Sequence, residues 1–306
     1  MVERSLAPIV LFVYNRPSHT RQTIQALLQN PLASQSQLFI YSDAPKDTKT
    51  KQAVEEVREY IHTIEGFENI TIIERERNFG LADSIIDGVT SIVNQYGKII
   101  VLEDDIVVSP CFLEYMNEAL AMYEEDLKVA CISAFNFPLK YPQNMQDTTF
   151  FLKGADCWGW GTWERAWKHF QKDGSQLLKE IQEKKLQKQF DLDNSYPYTQ
   201  MLKNQIKGKN NSWAVRWYAS AFLKNMLCLY PKHSLVENIG TDGTHFKNAK
   251  KNEFFGVISD TSFCITKLKC RENLEARQAL IFFFKNQKGL FFCRILKKAK
   301  QFLRIS

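Results

Sequence analysis

Glycine-rich phosphate loops are missing from this 306-residue sequence: no Gly-x-x-x-x-Gly-Lys-Ser/Thr segment occurs, and no Gly-x-Gly-x-x-Gly follows the first apolar run. The first absence excludes the phosphate cradle of P-loop enzymes, and the second disfavours dinucleotide-dependent dehydrogenases. Cysteine is scarce and unpaired. Its seven copies are scattered without a Cys-x-x-Cys pair, which argues against a disulfide framework or a structural zinc site. With 44% apolar and 24% charged residues, neither a disordered nor a membrane-embedded chain is indicated. Met1 to Pro8 lead directly into an apolar strand, without the basic, apolar and small-residue regions of an export signal. The expectation is therefore a reduced, cytoplasmic protein.

A net positive charge is also missing from most of the chain. Residues 281–306 hold seven basic residues and no acid, and the remainder is nearly neutral although the whole carries +6. A broad basic face for nucleic acid is thus not expected.

What the sequence does contain is an alternation of short apolar runs and amphipathic stretches. Pro8 to Tyr14 reads as a strand covered on both faces, ending at Asn15-Arg16-Pro17. Ser18 is placed to cap a helix with Thr23, Ile24, Leu27 and Leu28 on its inner face, and Gln37 to Tyr41 forms a second strand ending at Ser42-Asp43. A helix opening at Asp47 or Thr48, a strand over Asn69 to Ile73, a helix after Asn78-Phe79-Gly80 and a strand over 98–102 continue the series. Ser109-Pro110 reads as the start of a further helix. This alternation predicts a mostly parallel sheet with helices on both faces. Ligands of such sheets bind beyond the carboxyl ends of the strands, where Arg16, Asp43 and the acids after residue 102 all fall.

Those acids are the most informative feature. Lys98-Ile99-Ile100-Val101-Leu102 delivers Glu103, Asp104 and Asp105 to the end of a buried strand. Adjacent like charges repel by roughly 4 kcal/mol at about 4 Å and an effective dielectric near 20, so a cation is expected beside them. An extended chain would send Glu103 and Asp105 to one side and Asp104 to the other. A divalent ion such as Mn²⁺ or Mg²⁺, which takes oxygen ligands and leaves positions for diphosphate oxygens, suits such a rim. A solvated acidic loop is the plain alternative.

Lys128 to Asn136 reads as another strand, and 137–149 as a loop with Pro138 and Pro142. Trp158, Trp160, Trp163 and Trp167 then fall within ten residues. They either fill the core or, through Gly159-Trp160-Gly161, present indole faces to a sugar ring. A charged, exposed helix over 175–190 and a more buried one over 213–224 follow.

Residues 7–246 resemble the GT-A-fold, nucleotide-sugar-dependent glycosyltransferases, in the family-2-like group and similar to the N-acetylglucosaminyltransferase I type. The motifs that carry the resemblance are Val13-Tyr14-Asn15-Arg16, Tyr41-Ser42-Asp43 and Glu103-Asp104-Asp105 followed by Ile106-Val107-Val108-Ser109-Pro110, in that order. The fold it implies is an α/β, Rossmann-like, mostly parallel sheet. By the same resemblance Arg16 contacts the nucleotide, Asp43 the base, Asp105 the metal, Asp104 ribose or sugar hydroxyls, and Glu103 the donor sugar. It also implies Mn²⁺ or Mg²⁺ as cofactor and a nucleotide-sugar donor, with UDP favoured.

Asn238-Ile239-Gly240-Thr241-Asp242-Gly243-Thr244-His245 is similar to the family's loop that closes over the diphosphate, with Thr244 and His245 directed at phosphate or metal. The alternative is a surface turn. Arg216 is either a phosphate clamp or a buried structural partner. The sequence departs from the pattern at the catalytic base: the acid that relatives carry before the Trp-x-x-Arg helix is replaced by Asn210-Asn211. Glu164 and Asp193 are the substitutes considered.

Phe291, Phe292, Ile295, Leu296, Ala299, Phe302 and Leu303 form one helical stripe, opposite Arg294, Lys297, Lys298, Gln301 and Arg304. Such a helix either lies on an anionic membrane or packs on the body. The domain reading is therefore one glycosyltransferase domain over 1–280, with a nucleotide-sugar half (1–136) and an acceptor-side half (137–280), plus a basic amphipathic tail over 281–306. The expected activity is a metal-dependent, inverting transfer to a saccharide or lipid-linked saccharide hydroxyl, in cell-surface polysaccharide synthesis. The alternatives are a catalytically degenerate nucleotide-sugar-binding protein and a sugar-phosphate nucleotidyltransferase, although the latter wants a glycine-rich loop after strand one.

Overall fold

The structure, a computed structural model, describes residues 5–143, 145–240 and 264–286. Its first half alternates β1 (Ile9–Val13), α1 (Pro17–Leu28), β2 (Gln37–Ser42), α2 (Thr48–Ile61), β3 (Asn69–Glu74), α3 (Leu81–Tyr96) and β4 (Lys98–Glu103). After β5 (Ile106–Val108) come α4 (Phe112–Met122), β6 (Val129–Ser133), β7 (Thr149–Lys153), β8 (Trp160–Trp163) and α5 (Glu164–Trp167). The remainder is α6 (Gly174–Glu183), α7 (Gln187–Phe190), α8 (Tyr198–Ile206), α9 (Trp213–Leu223), β9 (Leu227–Pro231) and β10 (Val236–Asn238), with a further helix over 274–286.

Eight strands form one sheet in the order β3-β2-β1-β4-β8-β6-β9-β7. The pairs β1–β2, β1–β4, β2–β3 and β6–β9 are parallel, whereas β8 runs antiparallel to β4 and β6, and β7 antiparallel to β9. The mostly parallel α/β architecture expected from the alternation is therefore present. On β1, Ile9, Leu11 and Val13 face a core shared with α1, α2 and α4, while Val10 and Phe12 face one shared with α3, α5 and α9. Burial on both faces explains the unbroken apolar run.

Local punctuation follows the side chains. Asp47 caps α2, accepting from the backbone N–H of Lys49 and Thr50, while the Thr50 hydroxyl stands against the Asp47 N–H to complete a capping box. Ser18 is not a cap: α1 starts at Pro17, whose fixed φ suits the first turn. Likewise α4 starts at Phe112, after Ser109 has accepted the Cys111 N–H in a preceding turn.

The principal difference from the sequence reading is β8. Gly159-Trp160-Gly161 is not an open ligand platform but the entry of an antiparallel strand inserted between two parallel ones. A side chain on Gly161 would come within 2.9 Å of the Ile99 carbonyl and of Met116, so the close approach of β4 and α4 demands glycine. Trp160, Trp163 and Trp167 are buried, and Trp160 packs against Trp167, Trp213 and Trp217 with centroids 5.8, 5.3 and 6.1 Å apart. The core-filling alternative holds for these three; Trp158 alone of the four is half-buried.

The helix over 274–286 crosses residue 280 without a break. Ala276, Leu280, Ile281 and Phe284 share a buried cluster with Phe150 and Leu152, so the boundary drawn at 280/281 falls inside a packed element. The stripe from Phe291 to Leu303, and Thr244 and His245, lie outside the described residues.

Candidate active site

β2, β1 and β4 are adjacent and parallel, so their carboxyl ends bring Asp43, Arg16 and Glu103-Asp104-Asp105 to one rim. The Asp43 N–H donates to the Val13 carbonyl at 3.1 Å, locking the first two ends together.

The carboxylates do not alternate. β4 ends at Glu103, and Asp104-Asp105 form a tight turn into β5, which puts both aspartates on the side of Arg16. Arg16 grips Asp104 through Nε (3.4 Å to Oδ2) and Nη2 (to Oδ1), and Asp105 through Nη1 (2.8 Å to Oδ2). The cation demanded by the crowded acids is thus, in the first place, this guanidinium. Thr23 fixes the turn from below, its hydroxyl donating to the Asp104 carbonyl at 2.9 Å.

Burial pushes the Asp104 carboxyl up to about 6 against the pull of Arg16. Burial, with Asp105 and Asp104 adding to it, pushes Glu103 up to about 8; Arg16 and a hydrogen bond from the Trp213 indole oppose the rise. Burial alone would lower the Arg16 pKa, but Asp104 and Asp105 more than reverse this. At neutral pH the half-buried Glu103 is therefore largely protonated.

Asp105 is the member with capacity to spare. It is 5% exposed, and its Oδ1 is buried with no hydrogen-bond partner among the described residues. An orphaned anionic oxygen in that position fits a divalent ion held by one carboxylate and completed by water and phosphate oxygens. It does not fit an all-protein cage, since among the described residues no three His, Cys, Asp or Glu side chains converge on one point.

β10 pairs with β5 and returns the chain to this turn, where the Ile239 N–H donates to the Asp105 carbonyl at 2.9 Å. Gly240 then lies against the ion pair: a Cβ there would stand 2.1 Å from Asp105 Oδ2 and 2.9 Å from Arg16 Nη1. Gly240 thus acts here by leaving room.

Asp43 is fully engaged. Oδ1 accepts from the N–H groups of Ala44 (3.0 Å) and Phe79 (2.8 Å), and Oδ2 from Gly80 N–H (2.8 Å) and the Asn78 amide (3.1 Å). It latches the Asn78-Phe79-Gly80 loop, in which Gly80 takes a φ of +71° ahead of α3. To read a base, it would have to exchange one of these bonds.

Arg216 follows the structural alternative. It is buried, and its guanidinium donates to the carbonyls of Ser212 (3.1 Å) and Lys172 (3.2 Å) and to Asn211 Oδ1 (3.2 Å). Burial lowers its pKa, with Asp83 opposing. Glu164 stands at the wrong edge. Because β8 is antiparallel, Glu164 leaves its far end, donating its N–H to the Gly97 carbonyl at 2.8 Å, a whole strand length, roughly 17–20 Å, from the carboxyl rim. Asp193 is held by Arg277 at 2.8 Å, and that bond lowers its pKa, making it a weaker base.

Two rim residues escaped the sequence reading. Asp156 and Cys157, between β7 and β8, lie beyond the carboxyl ends of β4 and β6; burial, then Asp156, Glu103, Cys131 and Asp105, raise the Cys157 thiol well above its usual range. Asp156 was visible in the tryptophan-rich stretch, but its position depends on the unrecognised β8. A hollow of about 580 Å³ between Glu125–Lys128 and Lys267–Cys270 lies at the opposite edge and holds none of these groups.

Solved structures with related folds include the mannosyltransferase PcManGT of Pyrobaculum calidifontis in complex with GDP-Man and Mn²⁺, at 12% identity and TM-score 0.32, over 43% of this chain and 36% of that one. S. aureus TarS 1–349 matches at 13% identity and TM-score 0.32, over 57% of this chain and 49% of that one. A UDP-glucose pyrophosphorylase complexed with UDP-glucose matches at 12% and 0.37, over 74% and 90%. The chain thus spans about a third to a half of the first two, and scores at this level add no argument to the geometry. No curated protein matches the sequence. A family model does: that of the GNT-I family covers residues 2–169, which contain Arg16, Asp43, all three rim carboxylates and β8. The chain belongs to the GNT-I family.

Proposed function

We propose that this chain transfers a sugar from a nucleoside diphosphate, with UDP the favoured carrier, to a saccharide or lipid-linked saccharide hydroxyl, with inversion and with the help of Mn²⁺ or Mg²⁺. The observation that carries the reading is the paired turn Asp104-Asp105 with its orphaned Asp105 Oδ1, set at the carboxyl rim beside Arg16.

Asp105 would hold the ion through Oδ1, and the ion would neutralise charge on the leaving diphosphate. Arg16 keeps both aspartates oriented and presents its remaining guanidinium edge to an anionic ligand. Glu103, protonated at neutral pH, donates a hydrogen bond to a sugar hydroxyl without adding a third negative charge. The basic stripe over 294–304 extends the reading to acceptors at an anionic membrane on the cytoplasmic side. No helix of the described residues is long and apolar enough to cross one. Equal recovery of full-length and 1–286 protein on anionic liposomes would remove the membrane part.

The test is a thermal-shift panel of nucleoside diphosphates and nucleotide sugars, with and without Mn²⁺. A ligand at 100 times its Kd adds about 2.7 kcal/mol of stability. Asp105→Ala should abolish the Mn²⁺-dependent part of the gain, and an unchanged shift in the variant would overturn the site. One observation favours a second reading, a binding protein without turnover. Asn210 and Asn211, standing where relatives carry an acid, are used structurally, Asn210 accepting the Ser212 N–H at 3.0 Å and Asn211 holding Arg216. Nucleotide binding with no transfer or hydrolysis would select that reading.

A further inference from the structure

A direct transfer needs a group that takes the proton of the acceptor hydroxyl, and none of the acids weighed from the sequence is placed for it. Glu164 is at the far edge, Asp193 belongs to Arg277, and the position before α9 holds amides. The rim holds one more acid on the other side of β4 from β1.

Asp156 lies four residues before Trp160, which pairs with Val101 on β4 and Ser133 on β6. The intervening Gly159 carbonyl accepts the Ala134 N–H at 2.8 Å, tying the loop to the end of β6. Asp156 Oδ1 accepts the N–H groups of Cys157 (2.6 Å) and Trp158 (3.4 Å). The hydroxyls of Ser133 and Tyr230, at the carboxyl ends of β6 and β9, face this carboxylate and favour its charged form. Its neighbour Cys157 lies within electrostatic reach of Glu103 and Asp105, which places the loop beside the donor carboxylates. Trp158 stands next to it, half-buried against Phe135 with centroids 4.7 Å apart.

The contrast with the other acids lies in the partners. Asp104, Asp105 and Asp193 each have an arginine, whereas no lysine or arginine pairs with Asp156 among the described residues. Burial raises its pKa, against the pull of its hydrogen bonds. A half-buried carboxylate held only by neutral donors is costly to keep ionised, and that cost favours proton uptake. Two backbone N–H groups fix its direction, while its two hydroxyl partners can rotate; Ser133 already has the Phe135 carbonyl, 3.1 Å away, as an alternative acceptor.

Resting on the glycosyltransferase reading, we propose that Asp156 is the general base of the transfer, exchanging one hydroxyl partner for the acceptor's. The acceptor O–H proton passes to the carboxylate as the acceptor oxygen bonds to the anomeric carbon. The bond from that carbon to the diphosphate oxygen breaks, and its electron pair leaves with the nucleoside diphosphate.

The experiment measures nucleoside diphosphate release from UDP-glucose, UDP-N-acetylglucosamine and GDP-mannose with Mn²⁺, in the presence and absence of a panel of free saccharides. Wild type, Asp156→Asn and Glu164→Gln full-length proteins are compared. Asp156→Asn should lower kcat at least about 100-fold, the usual scale of a general base, while donor KM and the UDP thermal shift stay within about twofold. Glu164→Gln should keep kcat. If Asp156→Asn retains kcat within about threefold, or loses kcat together with UDP binding and Tm, the assignment falls. A wild type that binds UDP yet neither transfers nor hydrolyses also overturns it, leaving the nucleotide reading intact. Failure to bind any nucleotide sugar would instead overturn the function proposed above.

Discussion

The two sides of the carboxyl rim solve the problem of buried charge differently. On the side of β1, β2 and β4, every aspartate meets a strong donor: Arg16 for Asp104 and Asp105, and three backbone N–H groups and an amide for Asp43. On the side of β6, β8 and β9, Asp156 meets two backbone N–H groups and two hydroxyls, in aromatic surroundings. The first arrangement is held in place by a guanidinium and backbone N–H groups, suited to holding an anionic, metal-linked ligand. The second is adaptable, suited to exchanging a hydroxyl. Substitutions on each side should therefore fail in different ways.

The largest effect is expected at Arg16. Arg16→Met leaves two buried aspartates without their cation and should cost about 3–5 kcal/mol in urea denaturation, as for other broken buried pairs. An equally large loss in Arg277→Met, whose partner Asp193 is about one-third exposed, would erase the contrast; about 1 kcal/mol is expected there. Next in size is Gly240→Ala. Its Cβ would force Asp105 or Arg16 aside, for about 1–3 kcal/mol of destabilisation. Loss of the Mn²⁺-dependent UDP shift should accompany it, with Asp156 undisturbed.

The third effect is a pH trend. Because Glu103 has a folded-state pKa of about 8 against 4.5 unfolded, the folded protein binds the extra proton between these values. Its contribution to stability is complete below 4.5 and is lost as pH rises through 8. In metal-free buffer, Glu103→Gln should therefore gain Tm relative to wild type on going from pH 5 to 8.5. A constant difference between the two proteins would show that the carboxyl is not perturbed.

What was legible in the sequence divides along the same line. Arg16, Asp43 and Glu103 to Asp105 could be placed because each directly follows, within three residues, a buried apolar strand, and parallel order fixes which end they occupy. The turn at Asp104-Asp105 was not legible, since strand periodicity says nothing of where a strand stops; hence the expected alternation failed. β8 was hidden because two of its four residues are tryptophan and one is glycine, a composition that suits both a core strand and a stacking platform. Without β8, Asp156 and Glu164 could not be assigned to opposite edges. Arg216 was undecidable from sequence because its partners are mainly backbone carbonyls, which every sequence contains.

Gly240 carries a mechanical consequence. Residues 239 and 240 touch the Asp105 backbone and the Arg16–Asp105 contact. A displacement of the backbone at 240 would act directly on the grip of one guanidinium on one carboxylate, with no intervening side chain to absorb it. The path of the backbone at 240 and the geometry of the Arg16–Asp105 pair are thus set by the same few atoms.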